Sequence, residues 1–218
     1  MIKVTYIDHM GSDLSVVNAA RVSFGKKSDW MMRVHNGEAK VLQHKDAKLI
    51  RYLAKHNHKS PFNHTFVTFH VKAPIFVARQ LQKHEYMPWN EISRRYVDDD
   101  PEFYFPLTWR GRSTDKKQGS EGDVKSNFNI NYHTMTALKG YQQMLDEGVA
   151  PEQARMVLPQ STMTEWYWSG TLFAFAKMCS LRMKSDTQEE TQYVAQKVAL
   201  TMSKIYPVSW DALMEYAE

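Results

Sequence analysis

The chain has 218 residues, a formal net charge of +4, 43% hydrophobic and 24% charged residues, and a single cysteine. That length suits one sizeable domain with a real core, and the composition is that of a soluble globular protein rather than a disordered or fibrous one. No run is apolar enough for a membrane helix, MIKVTYIDHM is not a secretory leader, and Cys179 has no partner for an internal disulfide, all of which point to a reducing cytoplasm.

Residues 2–7 (IKVTYI) alternate as a strand. Asp13 reads as the cap of a helix that runs through Ala20, with Arg21 near its end. Residues 24–41 are polar and carry glycine, which predicts a loop. From Asp46 the spacing of Ala47, Leu49, Ile50, Leu53 and Ala54 predicts a helix with one buried face. The histidine-rich KHNHKSPFNH follows, with Pro61 as a breaker.

A strand then opens at His64 with Val67, Phe69 and Val71 on one side and Phe66, Thr68 and His70 on the other. Ala73 and Pro74 are expected to start a helix with Ile75, Phe76, Ala78 and Leu81 or Gln82 on its apolar face. After an acidic patch at 98–100, residues 108–126 have no periodicity and read as a mobile polar loop whose basic residues are solvated. A helix over about 130–147 is stopped by Gly148, and another starts at Pro151 and carries Arg155. Segment 161–181 predicts a short strand and then a helix, and 187–205 an amphipathic helix. Thirteen Met and six Trp fit adaptable core packing. The sum is one α/β or α+β domain.

The polar chemistry concentrates in residues 79–95: Arg79, Lys83, His84, Glu85, Asn90, Glu91, Ser93, Arg94 and Arg95, with Tyr86 and Trp89 among them. Three chemistries compete for it. The histidines at 56, 58, 64, 70 and 84 match no zinc spacing, which makes a metal site the weakest. A nucleic-acid surface would use the basic and aromatic residues, but Glu85, Glu91 and Asp98–Asp100 would repel a phosphate backbone. An enzyme handling a phosphorylated small molecule fits better: Arg79, Lys83, Arg94, Arg95, Arg155 and Arg182 come from three dispersed elements. Tyr86, Trp89 and Tyr96 can stack on planar rings, which suggests nucleotides or flavin.

KHEYMPWNEISRR (83–95) resembles the signature RHRxxSxNxxSxR of the flavin-dependent thymidylate synthases. His84, Asn90, Ser93 and Arg95 match, whereas Lys83, Glu85 and Pro88 replace arginine, arginine and serine. NAARVSFGK (18–26), HNHKSPFNH (56–64, with Asn63 in place of glutamate), VKAPIFVARQ (71–80), ARMVLP (154–159) and SLRMKSDTQEE (180–190) resemble further family blocks. The departures resemble the variant seen in phage-encoded members, for which the cytoplasm would be the host's.

The resemblance implies an α/β homotetramer with active sites built from several subunits, in which NADPH reduces FAD and methylenetetrahydrofolate gives carbon to dUMP. By matching position, Gln80, Lys83, Glu91, Ser93, Arg94, Arg95, Arg155 and Arg182 would hold dUMP. Ser60, Asn63, Lys83, His84, Glu85 and Tyr86 would lie along the flavin, with His58 nearby; no metal and no nucleic-acid partner are expected. Arg182 is the candidate for stabilising charge on the uracil carbonyl edge, with Arg155 beside it. Lys83 and Arg95 would neutralise phosphate, and Ser93 would position dUMP, since no evident base activates it. Glu85 reverses a family charge near FAD, and Arg94 is placed to compensate. Glu91 is expected either on dUMP or paired with Arg94 or Arg95. Cys179 sits in the apolar run LFAFAKMCSLRM and reads as a packing residue rather than a nucleophile.

Overall fold

The computed structural model describes residues 1–34, 38–97, 99–115 and 119–216, so Asp98 of the acidic patch lies outside the described residues. Alternation decides which side chains of β4 (Phe66–Pro74) enter the core. Val67, Phe69, Val71 and Ala73 are fully buried, while Phe66, Thr68, His70 and Lys72 are half-buried on the opposite face. This strand lies between β1 (Lys3–Met10) and β8 (Met163–Thr171). With β5 (Trp89–Glu91) on the far side of β8, the four make one antiparallel sheet in the order β1-β4-β8-β5.

Register places Phe69 opposite Trp168 and Val71 opposite Trp166. Phe175, from α6 (Leu172–Arg182), meets the Phe69 ring edge-on at 5.2 Å and the Trp168 ring at 5.3 Å. Each such aromatic pair adds about 0.5–1.5 kcal/mol beyond simple burial. Against α6 packs α7 (Glu189–Ile205), which buries Val194, Ala195, Val198 and Met202 completely. The other sheet face stays open, and cross-strand polar pairs tie it. Thr68 Oγ1 is 2.9 Å from Ser169 Oγ, and His70 Nε2 is 3.1 Å from Glu165 Oε2. The fold is α+β, with helices on one face of an antiparallel sheet.

Local pattern loses to tertiary partners at several places. Pro74 ends β4, paired with Met163, and caps α3 (Ile75–Leu81) instead of opening it; the helix buries Val77, Ala78 and Leu81 while Ile75 and Phe76 are half-buried. The cap of α1 (Asp13–Arg21) is Ser12, whose N–H donates to Ser15 Oγ at 3.0 Å. Asp13 faces a different helix, α8 (Pro207–Glu215), which the sequence reading did not foresee. Its carboxylate accepts from the Val208 N–H at 3.0 Å and the Ser209 N–H at 2.9 Å.

Both segments read as loops contain hairpins. One pairs β2 (Met31–Val34) with β3 (Glu38–Val41), and the other pairs β6 (Trp109–Arg112) with β7 (Ser120–Val124). The reading of 108–126 as a mobile loop with solvated basic residues is therefore wrong at Arg110. Its side chain is 23% exposed and meets Glu190, which is 5% exposed. Main-chain pairing and that ion pair hold Trp109–Arg112 and Ser120–Val124 despite the lack of apolar alternation. The strand in 161–181 spans nine residues, longer than expected. Elsewhere α2 (His44–Lys55) and α4 (Ile130–Asp146) follow the expected spans closely, and Gly148, at φ 83, ends α4 as expected. The short α5 (Pro151–Ala154) stops before Arg155, which sits in a 3-10 turn.

Candidate active site

Two helix ends meet over the buried sheet. Helix α3 ends at Leu81, and the turn after it carries Lys83, His84, Glu85 and Tyr86; the last turn of α6 carries Arg182. Arg182 Nε donates to His84 Nε2 at 3.0 Å, and Arg182 Nη2 donates to the Gln80 carbonyl at 3.0 Å, a free acceptor at the end of α3. Neither bond engages Nη1. Burial, then the Arg182 and Lys177 charges, lower His84 to about 4. The imidazole is thus neutral near pH 7, with its proton on Nδ1 and Nε2 free to accept from the guanidinium. Burial also lowers Arg182 from its ordinary value, but a guanidinium stays charged.

Gln80 is fixed in turn. Its amide donates to the Gln188 side chain, the cap of α7, and its oxygen accepts from Thr191 Oγ1 at 3.1 Å. Arg182 is therefore held from two sides by groups 98 and 102 residues away in the chain. Such a donor needs little reorganisation when charge develops in front of it.

Beside this pair opens a cleft of about 680 Å³, lined by Lys59, Asn63, Lys83, His84, Glu85, Tyr86, Thr171, Phe173 and Lys177, among others. Thr171 caps α6 through the Ala174 N–H at 3.2 Å and donates to Asn63 Oδ1 at 2.8 Å, which fixes one wall. Tyr86 holds a left-handed backbone, φ 59, and the residue is 89% exposed. A non-glycine residue in that conformation is uncommon and worth a functional reading. Lys59 and Lys177 also line an adjoining cavity of about 450 Å³.

The cleft gathers Asn63, Lys83, His84, Glu85 and Tyr86, five of the residues expected along a flavin. His58 and Ser60 do not line it: His58 stacks with Tyr52 at 6.1 Å, and Ser60 opens the turn that leads to Asn63. Gln80 and Arg182, expected on dUMP, lie together, with Lys83 close by in the chain. Glu91, Ser93, Arg94, Arg95 and Arg155 are on other elements.

Glu91 pairs with neither Arg94 nor Arg95. Its carboxylate accepts from Trp89 Nε1 at 3.0 Å and Thr164 Oγ1 at 2.6 Å. Arg94 grips Asp99 at 2.8 Å instead, and Arg95 lies over the Tyr96 ring at 5.1 Å. Ser93 Oγ accepts from the Arg95 N–H at 3.3 Å and from Arg95 Nε at 3.4 Å, and among the described residues no base contacts it. Arg155 is exposed and donates to the Glu152 carbonyl at 3.2 Å. Cys179 is fully buried, its thiol faces the Ala195 carbonyl at 3.4 Å, and burial pushes it far above its ordinary value. Sequence reasoning missed Lys59, Thr171, Phe173 and Lys177 as cleft residues. Only Thr171 carried a signal, a hydroxyl just before an apolar helix.

Among the described residues, no group of three or more His, Cys, Asp or Glu is placed to hold a metal ion, and no helix is long and apolar enough to cross a membrane. The family model described as "Thymidylate synthase complementing protein" matches residues 5–208. The flavin-dependent thymidylate synthase of Thermus thermophilus is 38% identical over 216 residues, which cover 98% of this chain and 76% of the relative. That of Thermotoga neapolitana is 38% identical over 215 residues, covering 98% and 91%. The crystal structure of a UMP/dUMP methylase, PolB from Streptomyces cacaoi bound with 5-Br dUMP, superposes with a TM-score of 0.83 at 32% identity, covering 100% of this chain and 96% of that one. A likeness that spans sequence, fold and the blocks that build the cleft is inherited, and the chain belongs to the flavin-dependent thymidylate synthase family.

Proposed function

We propose that the protein converts dUMP to dTMP, with methylenetetrahydrofolate as carbon donor and NADPH as reductant of bound FAD. The observation that carries this reading is a guanidinium, Arg182, held by a neutral histidine and a helix-end carbonyl at the edge of a cation-lined cleft. The cleft fits a flavin nucleotide. Lys59, Lys83 and Lys177 suit its phosphates, the Tyr86 and Phe173 rings suit its planar parts, and Glu85 is the one residue there of opposing charge. Bound FAD would supply the two electrons that carry a transferred methylene to the methyl level, having taken them from NADPH.

The chain's own residues bind and polarise. New bonding at uracil C5 builds negative charge on the carbonyl edge, and Arg182 meets that charge already oriented. Neutral His84 accepts from Arg182 without competing for its charge. Lys83 neutralises phosphate, and Glu91, fixed by Trp89 and Thr164, offers its carboxylate edge to the uracil N3–H. No side chain adds to C6, because the one cysteine is sealed in the core. Glu91, Ser93, Arg94, Arg95 and Arg155, which lie on other elements than Arg182, join it across subunits of a homotetramer, and the open sheet face offers area for that assembly. The work is done in the cytoplasm.

The test is optical and chemical. Purified protein should retain or take up FAD, NADPH should bleach the flavin band, and dUMP with methylenetetrahydrofolate should give dTMP. UMP is the control acceptor, since the structural neighbour is named for both nucleotides. Protein that binds no flavin, or that reduces it yet leaves dUMP unchanged, would overturn the reading.

A further inference from the structure

The hairpin formed by β6 and β7 pairs with no other strand of the described residues, and a two-stranded ribbon alone is marginal in water. Arg110 ties it to α7, while Trp109 meets the Phe128 ring edge-on at 6.3 Å. Arg110 Nη2 donates to both Glu190 oxygens at 2.7 Å, Nη1 lies 3.0 Å from Glu189 Oε2, and Nε donates to Ser120 Oγ on the facing strand at 2.8 Å. Tyr104 adds its hydroxyl to Glu190 at 3.2 Å. Desolvation raises Glu190, but the bonds and charge of Arg110 outweigh it, and the carboxylate ends below its ordinary value.

The anchored point matters. Glu190 shares the first turn of α7 with Gln188 and Thr191, the two residues that hold both ends of the Gln80 amide. Gln80 passes the constraint on, because its carbonyl receives Arg182 Nη2. A cavity of about 460 Å³, lined by Phe76, Arg110, Ser120 and Gln188 among others, lies between hairpin and helix, and Arg110 reaches Glu190 beside it.

We propose that Arg110 is a positioning residue for carbon transfer: its guanidinium, on Glu189 through Nη1 and on Glu190 through Nη2, fixes the first turn of α7 and, through Gln188, Thr191 and Gln80, the aim of the Arg182 guanidinium. The inference rests on the reading of Arg182 as the group that faces the uracil. It assigns the hairpin a role in the reaction, at a distance from the flavin cleft, which Arg110 does not line. Misplacing a charge-stabilising donor by a fraction of its hydrogen-bond length is costly, because its benefit depends on being in place beforehand.

The experiment compares Arg110→Ala, Arg110→Lys and Glu190→Gln in the full-length flavin-loaded protein. Arg110→Ala should slow dTMP formation at saturating dUMP by about tenfold or more, with flavin content and NADPH-driven flavin reduction within about twofold of wild type. Arg110→Lys, which keeps the charge and loses the fork, should fall between. Added to Arg182→Ala, Arg110→Ala should cost nothing further, since the residue it aims is gone. A mere staple of the hairpin would instead slow both half-reactions alike, or multiply with the Arg182 change, and either result overturns the proposal.

A second readout needs no turnover. In the ligand-free protein, NMR of carbon-labelled histidine should show the His84 titration rising by about one unit in Arg110→Ala, as the guanidinium beside it loosens. Burial and the Lys177 charge still act on the ring, so the rise is partial. Should Arg110→Ala fail to fold, Arg110→Lys and Glu190→Gln carry the same comparison. If wild type forms no dTMP, the functional reading fails on its own. The histidine arm still decides the clamp, and an unmoved His84 titration refutes it.

Discussion

Replacing Cys179 with alanine separates this chemistry from one that would use a cysteine nucleophile on uracil C6. Cys179 is fully buried on α6, against the Ala195 carbonyl of α7. Desolvation alone pushes the thiol far up, so thiolate is scarce at neutral pH. Alanine removes one sulfur from a closed core, with loss of transfer energy and a small void, and the cost should be about 1–2 kcal/mol. For a chain of this size that is a fall in Tm of about 3–6 °C. Circular dichroism melts would measure it, and chromatography of product would follow dTMP formation at a temperature well below both transitions. Turnover should stay within severalfold of wild type. A variant that folds, takes up FAD and binds dUMP, yet forms no dTMP, would refute the reasoning: carbon transfer would then need the thiol.

Two further outcomes follow from contacts between distant parts of the chain. Asp13→Ala leaves the Val208 and Ser209 N–H groups without their acceptor at a site only 3% exposed, so α8 should loosen and stability should drop by about 2–3 kcal/mol. Urea denaturation measures this, and a change under about 0.5 kcal/mol would mean that α8 is capped by other means. His84 titrates at about 4 in the fold against an ordinary 6.5, so the unfolded chain binds the extra proton first as pH falls. Its contribution is whole above 6.5 and drains away as pH drops towards 4. His84→Gln keeps an acceptor for Arg182 without a titrating group and should flatten stability across that window; an unchanged pH profile would remove His84 as the cause.

Much of the fold is legible one residue after another. Strict alternation marks Val67, Phe69 and Val71 as core, and each is fully buried. The apolar run around Cys179 marks it as a packing residue, and Gly148 marks the end of α4. In the polar run from Lys83 to Arg95, Lys83–Tyr86 line the cleft and Glu91–Arg95 do not, and the run's match to a family motif names the family. These features depend on periodicity, backbone freedom and residue type, which are properties of neighbours in the chain.

Polar partners belong to another level. Arg182 could have faced any of several acceptors, and the meeting of the ends of α6 and α3 gives it His84 and Gln80. Asp13 has the right chemistry to cap its own helix, yet it caps one 195 residues away because α8 begins against it. Arg110 lies in a segment without pattern and is held by Glu190, 80 residues on. A hydrophobic stripe needs only a core to face, and its spacing announces that. A hydrogen bond needs one partner at one distance and angle, and which partner arrives is decided only when the elements have packed.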